Sequence, residues 1–222
     1  MTPTRAFFER PATEVAPELL GARLTHRTAE GAVTVRLTEV EAYQGQGEDP
    51  GSHAHRGPRV RNAVMFGPAG HLYAYFTYGM HTCANIVCLP PPLAAGVLLR
   101  AGEVVAGEAL AQQRRGAAVR HRDLARGPAR LATALGIALT ENGADLLGGL
   151  DMTDTEGAPI DGAFTIELPV TPFAAATSPR TGVSGAGGSA DFPWRYFVVD
   201  DATVSPYRPA VARTRRVTHS RG

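Results

Sequence analysis

The sequence predicts an α+β fold, a single mixed α/β domain of antiparallel strands flanked by short helices. Three observations predict it. Two pairs of strand-like runs are each joined by a turn short enough for a hairpin, at Glu30-Gly31 and at Tyr78-Gly79. The clearest helical segments, 107–115 and 128–135, are short and end at Gly116 and Gly136, the second opening with proline at its first position. At 222 residues with 44% hydrophobic content, the chain is long enough for one sizeable core.

Taken in order, residues 13–20 read as a short helix with Thr13 at its N-cap and Gly21 as its stop. Strands 22–28 and 32–43 follow. Alternate side chains of a strand share a face, so Glu39, Glu41 and Tyr43 point one way while Val40 and Ala42 point the other. Two carboxylates roughly 6.5–7 Å apart on a half-buried face repel each other and lose hydration, which raises at least one pKa and makes a base available near neutral pH. A solvated strand edge with both glutamates outward is the plainer alternative. Residues 44–70 are rich in Gly, Pro, His and Arg, and a loop of that length in a compact domain usually carries function. His53 and His55 lie near Glu48 and Asp49, but no third ligand has a recognisable spacing. A hydrogen-bonded loop histidine is therefore expected, and no metal.

Residues 71–78 are aromatic and alternating, a strong strand signal, and 80–88 continue as its hairpin partner. Tyr73 and Tyr75 share one face, with Tyr73 expected to pack inward, whereas Tyr78 at the tip has less to pack against. The prolines at 90–92 break the strand. Residues 95–105 resume it, with Arg100 where a core pattern wants no charge. The remainder reads as scaffold: strand 163–170, a flexible Gly/Ser/Ala-rich loop over 177–191, and a last strand over 194–199.

Charge narrows the partners. The net charge is +1 and all 22 basic residues are arginine. Six of them fall between 114 and 130 against one Asp123, and five more lie between 208 and 221 with no acid, a distribution that permits a phosphate-tracking face. The basic tail, 209–222, is the segment whose order the sequence leaves open. The N-terminus lacks an apolar signal region and no apolar run approaches the ~18 residues that span a bilayer, so a cytoplasmic protein without a membrane partner is expected. Cys83 and Cys88, five apart, face opposite sides of one strand and are expected as two buried thiols. No phosphate-binding or dinucleotide motif is present, and no cofactor is expected.

Several motifs together resemble one family. They are Glu41-Ala42-Tyr43, Glu48-Asp49 with His53, Arg61-Asn62 before Met65-Phe66, the run Leu72 to Met80, Cys83 with Asn85, and Leu98 to Ala101. Arg126 to Leu131, Pro179 to Val183 and Pro193 to Tyr196 extend the resemblance over nearly the whole chain. The family is the 3-methyladenine DNA glycosylases of the alkyladenine (methylpurine) type. It implies a single domain, 1–222, around a curved, partly open, barrel-like antiparallel sheet with flanking helices and a protruding β-hairpin that enters the minor groove. It implies a monomer acting in a bacterial cytoplasm, associated with the nucleoid, on double-stranded DNA containing damaged purines. By the same resemblance Glu41 is the general base that activates water and Arg100 positions that water or a nearby phosphate. Tyr43, His53 and Tyr75 wall the pocket for the flipped base, Asn85 excludes the 2-amino group of guanine, Tyr78 fills the hole in the duplex, and Arg61 and Arg130 contact the DNA backbone. Glycosylases must extrude a base to reach it, and an aromatic wedge offsets the lost stacking.

Two other functions compete. Glu39 and Glu41 are a carboxylate pair of the kind O-glycoside hydrolases use, but adjacent positions of one strand cannot flank a sugar. A non-catalytic module stacking bases on Tyr73, Tyr75 and Tyr78 leaves Glu41 without a purpose. On this reading Glu39→Gln is expected to be far milder than Glu41→Gln.

Overall fold

The computed structural model describes residues 1–77, 79–148 and 163–210, so that Tyr78 and the basic tail from 211 onward lie outside the described residues. Among those described, nine strands form one antiparallel sheet. They are β1 (Arg23–Thr28), β2 (Gly31–Tyr43), β3 (Leu72–Thr77), β4 (His81–Cys88), β5 (Ala95–Ala106), β6 (Ala125–Arg126), β7 (Ala163–Glu167), β8 (Ala175–Ser178) and β9 (Arg195–Val198). The main path runs β3-β4-β5-β2-β1-β7, with β9 paired to the end of β2, β8 to β9 and β6 to β5. Four helices flank it: α1 (Arg5–Phe8), α2 (Ala12–Glu18), α3 (Glu108–Arg115) and α4 (Pro128–Leu135). The fold is α+β, as the hairpin pattern predicts. Among the described residues no helix is long and apolar enough to cross a membrane.

The core lies on the face of the sheet covered by α2 and α4. Val33, Val35 and Leu37 point into it from the first half of β2, and Val40 and Ala42 from the second. Those two sets differ in parity, so the alternation must slip between them. It does so at paired irregularities: Leu37 faces Gly102, Glu39 faces Ala101 and Val40 faces Leu99, leaving Thr38 as an extra residue on β2 and Arg100 as an extra residue on β5. A bulge of this kind redirects side chains without ending the ladder. An unbroken period of two running from Val33 would have carried Glu39 and Glu41 into the apolar core. The slip turns Glu39, Glu41 and Tyr43 to the opposite face, where Leu98 and Arg100 of β5 join them.

Elsewhere the observed elements shift slightly from expectation. The helix α2 begins at Ala12 with Pro11 in the cap position, so Thr13 is not its N-cap, and α1 carries no periodicity long enough to announce it. The turn of the first hairpin is Ala29-Glu30, because Thr28 pairs with Gly31. Cys83 and Cys88 are both buried, unpaired thiols on β4. The segment read as a flexible loop over 177–191 is largely built in. It contains the end of β8, a 3-10 turn over Ala186–Gly188 and Arg180, which is wholly buried. Two of its glycines serve close approach: a Cβ on Gly187 would run into the backbone of Gly51, and one on Gly188 into the carbonyl of Val183. The arginine run 114–130 is also partly spent indoors, since Arg114 donates to the carbonyls of Ala134 and Leu135 at the end of α4 and to the Thr28 hydroxyl.

Candidate active site

Glu39 and Glu41 are both fully buried, and their surroundings push them apart. One oxygen of Glu39 accepts from Arg100 Nε at 2.8 Å, Arg195 Nε at 2.7 Å and the Ser205 hydroxyl at 2.9 Å, and the other accepts the Ser205 backbone N–H at 2.7 Å. Burial opposes its ionisation, but the two guanidinium groups and these hydrogen bonds prevail and hold its pKa below the ordinary carboxylate value. Glu41 accepts the Tyr43 hydroxyl at 2.8 Å on one oxygen and the Thr181 backbone N–H at 2.6 Å on the other, with Arg100 Nη1 3.4 Å away. Here burial prevails over Arg100 and the hydrogen bonds, and the pKa is raised. The two carboxylates are driven in opposite directions, Glu39 towards its anion and Glu41 towards its neutral form. Glu39 is thus no bystander. Its carboxylate neutralises two buried arginines, Arg100 and Arg195.

A cavity of about 390 Å³, within the range of small-ligand sites, is lined in part by Tyr43, Arg100 and Thr181, the residues that contact Glu41, while Glu41 itself is not among its lining. Tyr43, His53, Tyr75, Asn85, Arg100 and Thr181 are among its lining, so five of the residues expected at the site converge there. Cross-strand pairing places the wall: Tyr73 faces Asn85 and Tyr75 faces Cys83 on the β3–β4 hairpin. The Tyr73 and Tyr75 rings lie 5.6 Å apart and nearly parallel, and the His53 ring meets Tyr75 edge-on at 4.6 Å. Tyr73 is buried, as expected, and its hydroxyl lies 3.0 Å from His53 Nδ1. Arg61 Nη2 lies 3.0 Å from Nε2 of the same ring. Arginine only donates, so Nε2 accepts and Nδ1 carries the proton. Partial burial and then the Arg61 charge lower the His53 pKa, which favours this neutral form. Asn85 is fixed by donating its amide N–H to the Tyr73 carbonyl at 3.1 Å.

Arg180, read as part of a flexible loop, holds the site together. Its guanidinium pairs both oxygens of Asp49 at 2.5 and 2.6 Å, with neither side chain exposed. It also donates to the Ala42 carbonyl at 2.9 Å and the Gly187 carbonyl at 2.6 Å, and it stacks 4.4 Å from the Tyr43 ring and 5.2 Å from Trp194. This clamp seats the next residue, Thr181, against Glu41. Composition pointed away from it; the only sequence signals are the motif Pro179 to Val183 and the acid at Asp49, 131 residues distant.

The family model of methylpurine-DNA glycosylase matches residues 6–202. The chain belongs to the methylpurine-DNA glycosylase family. Similar relatives, each provisionally named a 3-methyladenine DNA glycosylase, come from Leifsonia xyli subsp. xyli (56% identical, covering 93% of this chain and 92% of the relative), Streptomyces avermitilis (51%, covering 96% and 95%) and Burkholderia lata (45%, covering 90% and 89%). The chain is an enzyme, a monofunctional DNA glycosylase.

Two further residues expected at the glycosylase's DNA face have clear positions. Arg61 is exposed on the 3-10 segment Val60–Phe66 and is engaged with His53; Arg130 is exposed on the first turn of α4, whose Pro128 lines the cavity. Beside this cavity a second concavity is lined by Arg56, Arg59 and Arg61 with His53 and His55 and by no acid. At the hairpin tip, Phe76 and Met80 are exposed apolar side chains flanking position 78. Among the described residues no three His, Cys, Asp or Glu side chains group as metal ligands.

Proposed function

We propose that this glycosylase hydrolyses the N-glycosidic bond of alkylated purines in duplex DNA, with the flipped base held in the Tyr43–His53–Tyr75 pocket and Glu41 activating water. The similar relatives' names point to 3-methyladenine as the substrate type. The observation that carries the reading is the division of labour between the two carboxylates, with only Glu41 raised in pKa and joined to the pocket wall through Tyr43, Arg100 and Thr181. In the reaction water gives a proton to Glu41 as its oxygen bonds to the anomeric carbon. The C–N bond breaks and its electron pair leaves with the base. An alkylated purine that carries positive charge leaves readily and stacks well on tyrosine, so little acid catalysis is needed. Arg100, already paired to Glu39, steadies the water; Asn85 bars guanine; Tyr78 is the wedge; Arg61 and Arg130, with Arg56 and Arg59 nearby, meet phosphates as the enzyme acts as a monomer.

The test uses duplexes bearing single defined lesions, incubated with enzyme and then cleaved at abasic sites with alkali. Glu41→Gln abolishes base release while lesion binding stays within about tenfold, because the amide keeps the shape and cannot take a proton. Substantial release by that variant would sink the general-base role. Binding without release by the wild type would favour the non-catalytic module.

A further inference from the structure

The segment after β9 returns to the site and brings Ser205 against the arginines that Glu39 holds. It is stitched down on both sides of Ser205. The Thr203 hydroxyl lies 2.8 Å from that of Thr38, the extra residue on β2, and the Val204 carbonyl accepts from Arg126 Nε at 2.9 Å. The Arg208 carbonyl accepts, at 2.9 Å, the N–H of Gly182, a residue of the cavity lining. Ser205 itself is buried and spends every polar atom on one ion cluster. Its backbone N–H and its hydroxyl donate to the two oxygens of Glu39 at 2.7 and 2.9 Å, and its carbonyl accepts Arg195 Nη2 at 2.8 Å. Its hydroxyl oxygen also stands 3.4 Å from Arg100 Nη2. A hydroxyl that gives its one proton to a carboxylate keeps lone pairs for a guanidinium, so the two contacts are compatible.

These contacts divide the nitrogens of Arg100. A guanidinium is planar and rigid, and Nε and Nη2 share one of its edges. That edge is taken by Glu39 at 2.8 Å and, more weakly, by Ser205 at 3.4 Å, which leaves Nη1 to face Glu41, also at 3.4 Å. Nη1 is thus outside the short range of a charge-assisted hydrogen bond. Its influence on Glu41 depends on where the guanidinium is held, and a side chain with arginine's rotamer freedom must be held from elsewhere. Glu39 alone gives a poor hold: its Oε1 accepts from both Arg100 and Arg195, and a pivot on one atom leaves the guanidinium plane free to turn. Ser205 supplies the second point of contact and clamps both oxygens of Glu39 as well. We infer that Ser205 is a positioning residue for base release: it locks Glu39 and the Nε–Nη2 edge of Arg100, and so keeps Nη1 turned towards Glu41. This rests on the general-base reading above and adds to it the group that holds the counter-charge in place.

The experiment measures single-turnover base release across pH, and duplex affinity, for the full chain and for Ser205→Ala, Ser205→Cys, Arg100→Gln and the double variant Ser205→Ala/Arg100→Gln, using a duplex with one alkylated purine. Alanine keeps the backbone N–H that reaches Glu39 and removes only the hydroxyl; cysteine keeps the size with a weak S–H donor. Release by Ser205→Ala is expected to slow about tenfold at neutral pH, with affinity within about twofold. Its acid limb is expected to move to higher pH, because a positive charge that drifts away from Glu41 favours the neutral acid. In the Arg100→Gln background the same substitution is expected to change neither rate nor limb further, since it acts through the group already removed. Should alanine perturb folding, as read by its melting temperature, the cysteine variant carries the comparison. A wild-type rate or an unmoved limb in the hydroxyl-free variant that folds overturns the inference, because Ser205 would then serve only the fold. A further loss of about tenfold in the Arg100→Gln background overturns it too, because Ser205 would then act apart from Arg100. Glu41→Gln in the same assay separates the two readings: release lost there but unaffected in the hydroxyl-free variant removes Ser205 alone, whereas release retained by Glu41→Gln removes the general base.

Discussion

Two glutamates two residues apart end with opposite protonation tendencies, and this has a pH signature. As the proposed general base Glu41 must be ionised, and burial, outweighing Arg100, raises its pKa above the ordinary 4.5. Base release should therefore fall on the acid side with an apparent pKa above 4.5, and Arg100→Gln should move that limb to higher pH, since it removes the main opposing charge. A limb that moves to lower pH in that variant would exclude Arg100 as Glu41's counter-charge. Stability follows the same directions. The lowered pKa of Glu39 contributes stability that is present above 4.5 and lost as pH falls through its folded value. Glu41 works in reverse, its ionisation weakening the fold as pH rises from 4.5 through its raised value. Strand alternation makes the shared face of Glu39, Glu41 and Tyr43 legible. It cannot tell which glutamate stays charged, because the deciding partners of Glu39, Arg195 and Ser205, lie 156 and 166 residues away.

The elements most legible in the sequence are those with local signals: the β1–β2 and β3–β4 hairpins, and α4 with proline at its start and Gly136 in the left-handed conformation at its end. The paired irregularity at Thr38 and Arg100 was not, because Arg100 advertises only a misplaced charge and the slip belongs to two strands at once. Nor was the ordered segment 179–188, whose small residues look like a linker until Asp49 and Gly51 are brought against it. That segment supports a prediction. Asp49→Asn leaves the Arg180 charge buried without its partner and should lower stability by about 3–5 kcal/mol, measured by urea unfolding. If stability stays within about 1 kcal/mol of wild type, the segment is not held by this pair.

For the molecule as a whole, the absence of lysine restricts the chemistry. Glycosylases that also cut the strand attack the sugar with an amine and pass through a Schiff base, and arginine cannot substitute because its guanidinium stays protonated. Borohydride added during turnover on a lesion duplex should trap no protein–DNA adduct, leaving an intact abasic site; a trapped adduct would show that the terminal amine reaches the sugar. Among the described residues Arg56, Arg59 and Arg61 gather positive charge beside the pocket, while Arg114 and Arg180 serve the interior. Packing around Arg180 brings one more consequence. Trp194, the single tryptophan, lies against that guanidinium and meets Phe192 edge-on at 4.8 Å, while its carbonyl accepts the Ala42 N–H at 2.8 Å. Ultraviolet emission excited at the red edge of the indole band thus arises from one ring bordering the catalytic strand, and the enzyme carries its own optical probe of whether the segment that presents Thr181 is seated.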